Sequence, residues 1–467
     1  MRVKILVTLG PSISDYYIIK KLIEEGVSGF RINYIHGSPN EWDEWIKMVR
    51  EASEELDKVV SIIGDIPGPQ IRIGDFTAFE VKARDKIILF YGGKSKERKI
   101  PIPHKKLFEV LEIGDTILLD DGKVILKTIE VGEDYAETIA LNSAIIYPRK
   151  KIVISGKEID LPLFNDRDIE LIKFSVSRNI NYLAFSFIRS ASDLSVIRDI
   201  LSRLGGEQGV IAKIETRSSV YDFDNIVEKA DAILIARGDL GLHLDLEKLP
   251  IIQRSITRKT VSRGKPCIVA TQLLESMVNY PRPTRSEVVD VMNAVYDMVD
   301  ALLLTNETAI GKYPIESVRW LKKIIEVAES SLEKRAIDEF RDSLEYNSLR
   351  DKHAIGLTLL SEKVNAKILI YTKTGTLPPY ISRVRPQIAV YVGAGNKKIA
   401  ERFTIYYGLN PYYIKPPTDK PLDYDEGVKL LFTKLRESGE LRYGEVVVEA
   451  YGRKELGIHE IKIRQVI

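Results

Sequence analysis

Hydrophobic and polar positions along the chain follow two rhythms. Short apolar runs at residues 3–8, 29–34 and 59–66 are each closed by a turn, and the first two lead into longer segments of helical spacing at 14–25 and 41–57. Runs this short and this continuously apolar predict strands buried on both faces, with amphipathic helices between them. Asp15 falls in the first turn of the first helix, where a carboxylate suits a helix start. Pro67-Gly68-Pro69 then forbids helix continuation. From about residue 73 to 153 the period drops to two, with frequent Gly and Asp turns, as at 86–91, 116–119 and 123–129, which predicts an inserted β domain. The first rhythm resumes with a helix at 166–178 and strands at 182–188, 210–214, 232–236, 267–271 and 301–304. The two sides of the insertion together hold eight apolar strands. Eight βα units that close on themselves form a TIM barrel, whose active sites collect at the carboxyl ends of the strands. After a long helix ending near residue 337, strands at 367–371, 388–392 and 446–450 among helices predict a further α/β domain. The expected α/β architecture is thus a (β/α)8 barrel from residues 1–72 and 154–338, a β-barrel-like insertion at 73–153 and a C-terminal α/β domain at 339–467.

A chain of 467 residues has room for about three such domains at ~150 residues each. Charge narrows the partners. Lys and Arg total 69 against 67 Asp and Glu, a net +2, with no long run of either sign, which argues against a nucleic-acid tail or a membrane patch and for small-molecule ligands. The N-terminus enters a strand directly and no apolar run approaches the ~18 residues of a spanning helix, so neither a targeting nor a membrane segment is expected and the expected location is cytoplasmic. The single cysteine, Cys267, lies in an apolar strand, which excludes an internal disulfide and predicts a core position.

Two successive strands carry charge where they end. Val210 to Ile214 runs into Glu215, so that Lys213 and Glu215, two residues apart, project from one side. This pattern has two readings: a buried ion pair, or a lysine for an anionic substrate beside a carboxylate for a cation. The next strand runs into Arg237-Gly238-Asp239-Leu240-Gly241. In a barrel, Arg31, Asp65, Arg72, Lys213, Glu215, Asp239 and Thr271 would converge on the mouth. In the C-terminal region a strand ends in Thr372-Lys373-Thr374-Gly375-Thr376, before a helix opened by Pro378-Pro379. That layout suits either an anion held on backbone N–H groups or an ordinary surface loop.

These motifs, in this order, resemble the pyruvate kinase family over nearly the whole chain. Arg31-Ile32-Asn33-Tyr34-Ile35-His36-Gly37 is similar to R-x-N-F-S-H-G, and Asp65 to Arg72 to D-T-K-G-P-E-I-R. Ile188 to Asp193 also fits; the stretch Val210 to Val220 matches the signature A-K-I-E-N, Ala236 to Gly241 A-R-G-D-L-G and Ala270 to Met277 A-T-Q-M-L-E-S-M, with Pro281 to Arg285 and Thr308-Ala309 completing the set. The resemblance implies phosphoryl transfer from phosphoenolpyruvate to ADP in glycolysis, giving pyruvate and ATP. It implies Glu215 and Asp239 as ligands of Mg2+ or Mn2+, Lys213 on the transferring phosphoryl group, and Arg31 and Arg72 as clamps on phosphate oxygens. Gly238 would let the backbone approach the substrate carboxylate, and Thr271 would relay a proton to the enolate, ordered by Glu275 and Thr305. Lys151 and His36 are implied as nucleotide contacts, an exposed loop being the other reading for His36. The insertion becomes a lid, the C-terminal domain regulatory and the assembly a homotetramer. Residues Thr372, Lys373, Thr374, Gly375 and Thr376 would form a phosphate-effector pocket, closed by Arg453 or Lys454. The chain departs from the family at its potassium site. That site resembles Asn33, Asp65 and the carbonyl of Ile66, but Ile35 stands where the family has Ser, and Gln70 where it has Glu. Both changes lower affinity for K+, so activity without it is expected.

Overall fold

The computed structural model describes residues 1–418, 421–453 and 458–467; Lys454 and the side chain of Arg453 lie outside the described residues. Eight parallel strands close into a barrel: Lys4–Thr8, Val27–Asn33, Ser61–Ile66, Tyr182–Phe185, Gly209–Ile214, Ala232–Ala236, Cys267–Ala270 and Ala301–Leu304, the last pairing back onto the first. Their apolar continuity has a physical cause, since each is buried on both faces. Leu6, Ile63, Ile211, Leu234, Ile268 and Leu303 fill the interior, while their neighbours in sequence pack outward under the helices. Helix starts follow local chemistry. Asp15 accepts the N–H groups of Tyr17 and Ile18, and Asn165 with Asp168, Thr216 with Ser219 and Thr284 with Glu287 form reciprocal caps.

Between the third and fourth barrel strands, a six-stranded and a two-stranded sheet share one apolar core that includes Val81, Leu89, Ile117, Leu126 and Ile146. The chain leaves and returns side by side. Arg72 and Lys151 face each other across an antiparallel bridge, with Ile73 N–H donating to Lys150 O at 2.9 Å and Ile152 N–H to Ile71 O at 3.1 Å.

The helix expected to end near residue 337 is two helices, Pro314–Ser331 and Lys334–Asp342, because Leu332 turns to an extended conformation. Ile337 and Phe340 of the second still pack into the barrel's outer core. The C-terminal sheet orders its strands Leu409–Tyr413, Val390–Ala394, Lys367–Thr372, Val446–Arg453 and Ile458–Gln465, the last antiparallel. Its Ile405 joins the barrel's interior cluster. Among the described residues no helix is long and apolar enough to cross a membrane.

Candidate active site

Strand ends at the barrel mouth bring four charges together. The Lys213 ammonium donates to Ser186 Oγ at 2.7 Å and to Asp65 Oδ1 at 3.3 Å, and lies 2.9 Å from Glu215 Oε1. Asp65 also accepts Arg31 Nε at 2.7 Å and pairs with its Nη2 at 2.6 Å, while Arg31 Nη1 reaches Thr8 Oγ1. All three central groups are buried: Lys213 is 8 % exposed, Asp65 2 % and Glu215 1 %. Burial by itself would raise Asp65, but Lys213 and Arg31 outweigh it and hold the carboxyl below its ordinary value. Lys213 is raised for the complementary reason, since Asp65 and Glu215 overcome the cost of burying its charge. It therefore stays cationic. Glu215 is raised instead, because burial and the charge of Asp239 exceed what Lys213 offsets. One oxygen of Glu215 accepts Phe187 N–H at 2.9 Å, and the other, Oε1, receives no hydrogen bond of good geometry.

Asp239 sits in the first turn of helix Arg237–His243, which begins where strand Ala232–Ala236 ends. Lys151, delivered by the returning arm of the insertion, pairs with it and lies 4.8 Å from the Phe187 ring centroid. Burial would raise Asp239, yet Lys151 and Lys213 hold it low. These observations test the site for a divalent cation. The donors are hard oxygens, Asp239 is paired with the Lys151 ammonium, and Glu215, which shares Lys213 with Asp65, is under-compensated in charge and hydrogen bonding. Among the described residues no group of three or more His, Cys, Asp or Glu side chains could hold a metal by itself. The two carboxylates fit an ion such as Mg2+ that keeps waters and takes further oxygens from a substrate.

Thr271 follows the seventh barrel strand at φ 69°, with Gln272 at φ 53°, two successive non-glycine residues in the left-handed region. Arg237, which sequence reasoning passed over, holds this turn: it donates to Thr271 O at 2.9 Å and Gln272 O at 2.9 Å and pairs with Asp290. Its position inside the A-R-G-D-L-G match was the available signal. Ser186 was also missed, although it follows a strand end directly. The Thr271 hydroxyl accepts Gly238 N–H at 2.9 Å, so that N–H is engaged within the protein and the hydroxyl keeps its own proton to donate. Glu275 accepts from Asn306, and Thr305 donates to Glu307; neither is bonded to Thr271.

Arg72 is exposed at the insertion's root, donating to Gln70 Oε1 at 2.9 Å and Arg149 O at 3.1 Å. His36 is exposed in the turn after the second barrel strand, and partial burial with the charges of Arg72 and Arg31 pushes it down. At the expected potassium site, Asn33 Oδ1 accepts Ile35 N–H at 3.3 Å and Ile66 O accepts Ser186 N–H at 3.2 Å. In the C-terminal domain, Gly375 N–H donates to Thr372 Oγ1, the Thr374 and Thr376 hydroxyls bond each other, and Lys373 lies over the Tyr424 ring. The helix that follows, Leu377–Arg383, is short.

Comparison with known proteins agrees with this geometry. The family profile "Pyruvate kinase, barrel domain" matches residues 1–318 and "Pyruvate kinase, alpha/beta domain" residues 354–458. The chain is 35% identical to a pyruvate kinase of Aeropyrum pernix over 99% of its own length and 98% of the relative's, and 37% identical to one of Pyrobaculum aerophilum over 99% and 96%. The crystal structure of pyruvate kinase from Pyrobaculum aerophilum superposes with a TM-score of 0.85 at 35% identity, covering 99% of both chains. A pyruvate kinase structure from Cryptosporidium parvum gives 0.90 at 28% identity, covering 99% of this chain and 96% of that one.

Proposed function

Because the chain belongs to the pyruvate kinase family, and so transfers the phosphoryl group of phosphoenolpyruvate to ADP, we propose that the charged cluster at the barrel mouth performs that transfer. The observation that carries this reading is Lys213, a buried ammonium fixed by Ser186, Asp65 and Glu215 at a strand end. Phosphoryl transfer is catalysed mainly by positioning and by neutralising charge on the phosphoryl oxygens. A cation held this rigidly does both without reorganising during the reaction. Arg31 adds a second fixed charge, and Arg72 a third from the root of the insertion. Lys151, opposite Arg72, and His36 are assigned to the nucleotide phosphates.

The family generally uses a divalent metal. Glu215 and Asp239 are the residues assigned to hold it, as Mg2+ or Mn2+, and when bound it supplies positive charge to the phosphate oxygens. After transfer an enolate remains. Thr271 donates its hydroxyl proton toward the enolate carbon and recovers one from solvent, while the Arg237 contacts keep its left-handed turn in place. Because Gly238 N–H is taken by Thr271, the glycine serves the substrate carboxylate by leaving space; a Cβ there would meet nothing closer than Thr271 Oγ1 at 3.5 Å.

The insertion, residues 73–153, acts as a lid that excludes water and so protects the phosphoryl group from hydrolysis. We divide the chain as the sequence indicated at this insertion, and place the last boundary after Asp342, because helix Lys334–Asp342 is continuous and packs on the barrel. The C-terminal domain is assigned a regulatory role, with Thr372 to Thr376 as the place for a phosphorylated effector, in a cytoplasmic homotetramer active without K+. The test is a coupled lactate dehydrogenase assay with phosphoenolpyruvate, ADP and Mg2+. Turnover that disappears on chelation and returns with Mg2+ supports the reading; a folded, substrate-binding protein without turnover would overturn it.

A further inference from the structure

Two of the chain's five histidines meet far from the barrel mouth. His353 lies one turn into helix Leu349–Lys363 and His459 near the start of the last strand, Ile458–Gln465. Their ring centroids are 4.8 Å apart and the rings are tilted by 48°. Both ring nitrogens of His353 and Nδ1 of His459 are buried with no hydrogen-bond partner. Buried polar atoms are nearly always satisfied, so three unpaired nitrogens on two touching rings call for an explanation. Stacking alone does not provide one, because it leaves the nitrogens unpaired.

Neighbouring charges do not provide one either. Asp351, on the same helix, is taken by Ser348 and Arg383. On the last strand, Glu460 accepts from Tyr451 and lies 3.4 Å from Lys462, which also pairs with Asp425. From the packed strands, Lys367 pairs with Glu445 and Glu449 with Arg464. Opposite His459 in the ladder stands Gly452, which has no side chain to cover the imidazole. Burial and the adjacent His459 push His353 down to about 4.

We propose that His353 and His459 are the protein ligands of a first-row transition-metal ion, of which Zn2+ is the representative, fastening the C-terminal strand pair to helix Leu349–Lys363. Two imidazoles bound at about 2.0–2.1 Å and subtending roughly 90–110° at a metal hold their centroids about 4.5–5.2 Å apart. The observed spacing of 4.8 Å falls in that interval. Imidazole selects Zn, Cu and Ni over Mg, so this site and the all-oxygen pair Glu215 and Asp239 prefer different ions. With only two protein ligands the ion is held weakly and exchanges.

The experiment uses the full chain saturated with Mg2+, titrated with Zn2+ against a chromophoric chelator at pH 7.5, in wild type, H353Q, H459Q and the control H104Q. One Zn2+ per chain at micromolar affinity is expected, weakened at least tenfold in H353Q and in H459Q and unchanged in H104Q. Absence of Zn2+ binding in the presence of Mg2+, or wild-type affinity in H353Q or in H459Q, would overturn the proposal. Should either variant unfold, Cu2+ on the wild-type protein replaces it as the probe. Two imidazole nitrogens in the hyperfine spectrum support the site, and one or none rejects it.

Discussion

Lys213 is the residue at which electrostatics and position coincide most closely. Replacing it with Met leaves Glu215 and Asp239 in place while removing the fixed cation. Phosphoryl transfer should fall a few hundredfold or more, about 3–4 kcal/mol of lost transition-state stabilisation, with Mg2+ and substrate binding largely kept. Single-turnover rates alongside equilibrium binding check this, and near-normal turnover would remove Lys213 from the mechanism. The potassium question also belongs to single residues. Ile35 supplies no oxygen, Asn33 Oδ1 is engaged by Ile35 N–H, and Asp65 is already paired with both Arg31 and Lys213. Gln70 brings no negative charge and spends its oxygen on Arg72. Rates in K+ and in tetramethylammonium at matched ionic strength should therefore be similar. A tenfold preference for K+ would mean that backbone carbonyls and water suffice for the site.

Elements of the barrel are joined at their ends by close backbone approaches, and Gly10 marks one of them. It follows the first strand, and a Cβ built there would lie 2.5 Å from Ala309 O. No flexible side chain is available to yield, so Gly10→Ala must displace the segment that carries Thr308, whose hydroxyl bonds Thr8 O at 3.0 Å. A loss of about 1–3 kcal/mol is expected by analogy with overpacked cores, read as a lower denaturant midpoint at unchanged m-value. The root of the insertion shows the opposite arrangement. Its two arms are tied by backbone bonds beside Arg72 and Lys151, so one movement of the insertion would carry both charges together.

Across the whole molecule, the C-terminal domain is fixed beneath the barrel by a buried charge pair. Arg385, 1 % exposed and at φ 52°, donates to both oxygens of Asp300 at 2.8 and 2.7 Å and lies over the Tyr407 ring. Asp300 also accepts the N–H groups of Cys267 and Tyr407, so barrel strands and C-terminal domain share one carboxylate. Arg385→Met leaves that carboxylate buried without its counter-charge and should cost about 3–5 kcal/mol. Thermal unfolding checks this. The double variant with Asp300→Leu should lose less than the sum of the two single changes, since each removes the other's uncompensated charge.

Strand order, the period-two insertion and the charged strand ends were legible in the sequence because each is a local pattern: burial on both faces makes a strand continuously apolar, and a turn needs Gly, Asp or Pro wherever it occurs. For the same reason the motifs around Lys213, Glu215 and Asp239 could be matched residue by residue. The break at Leu332 was not legible, since a short extended link leaves the helical spacing on either side almost unchanged. Nor was the partnership of Lys151 with Asp239, of Arg237 with the Thr271 turn, of Arg385 with Asp300, or of His353 with His459. Each joins side chains separated by tens of residues or more, and only the closure of the barrel and the packing of the other sheets against it decide which charges end up paired and which nitrogens are left without a partner.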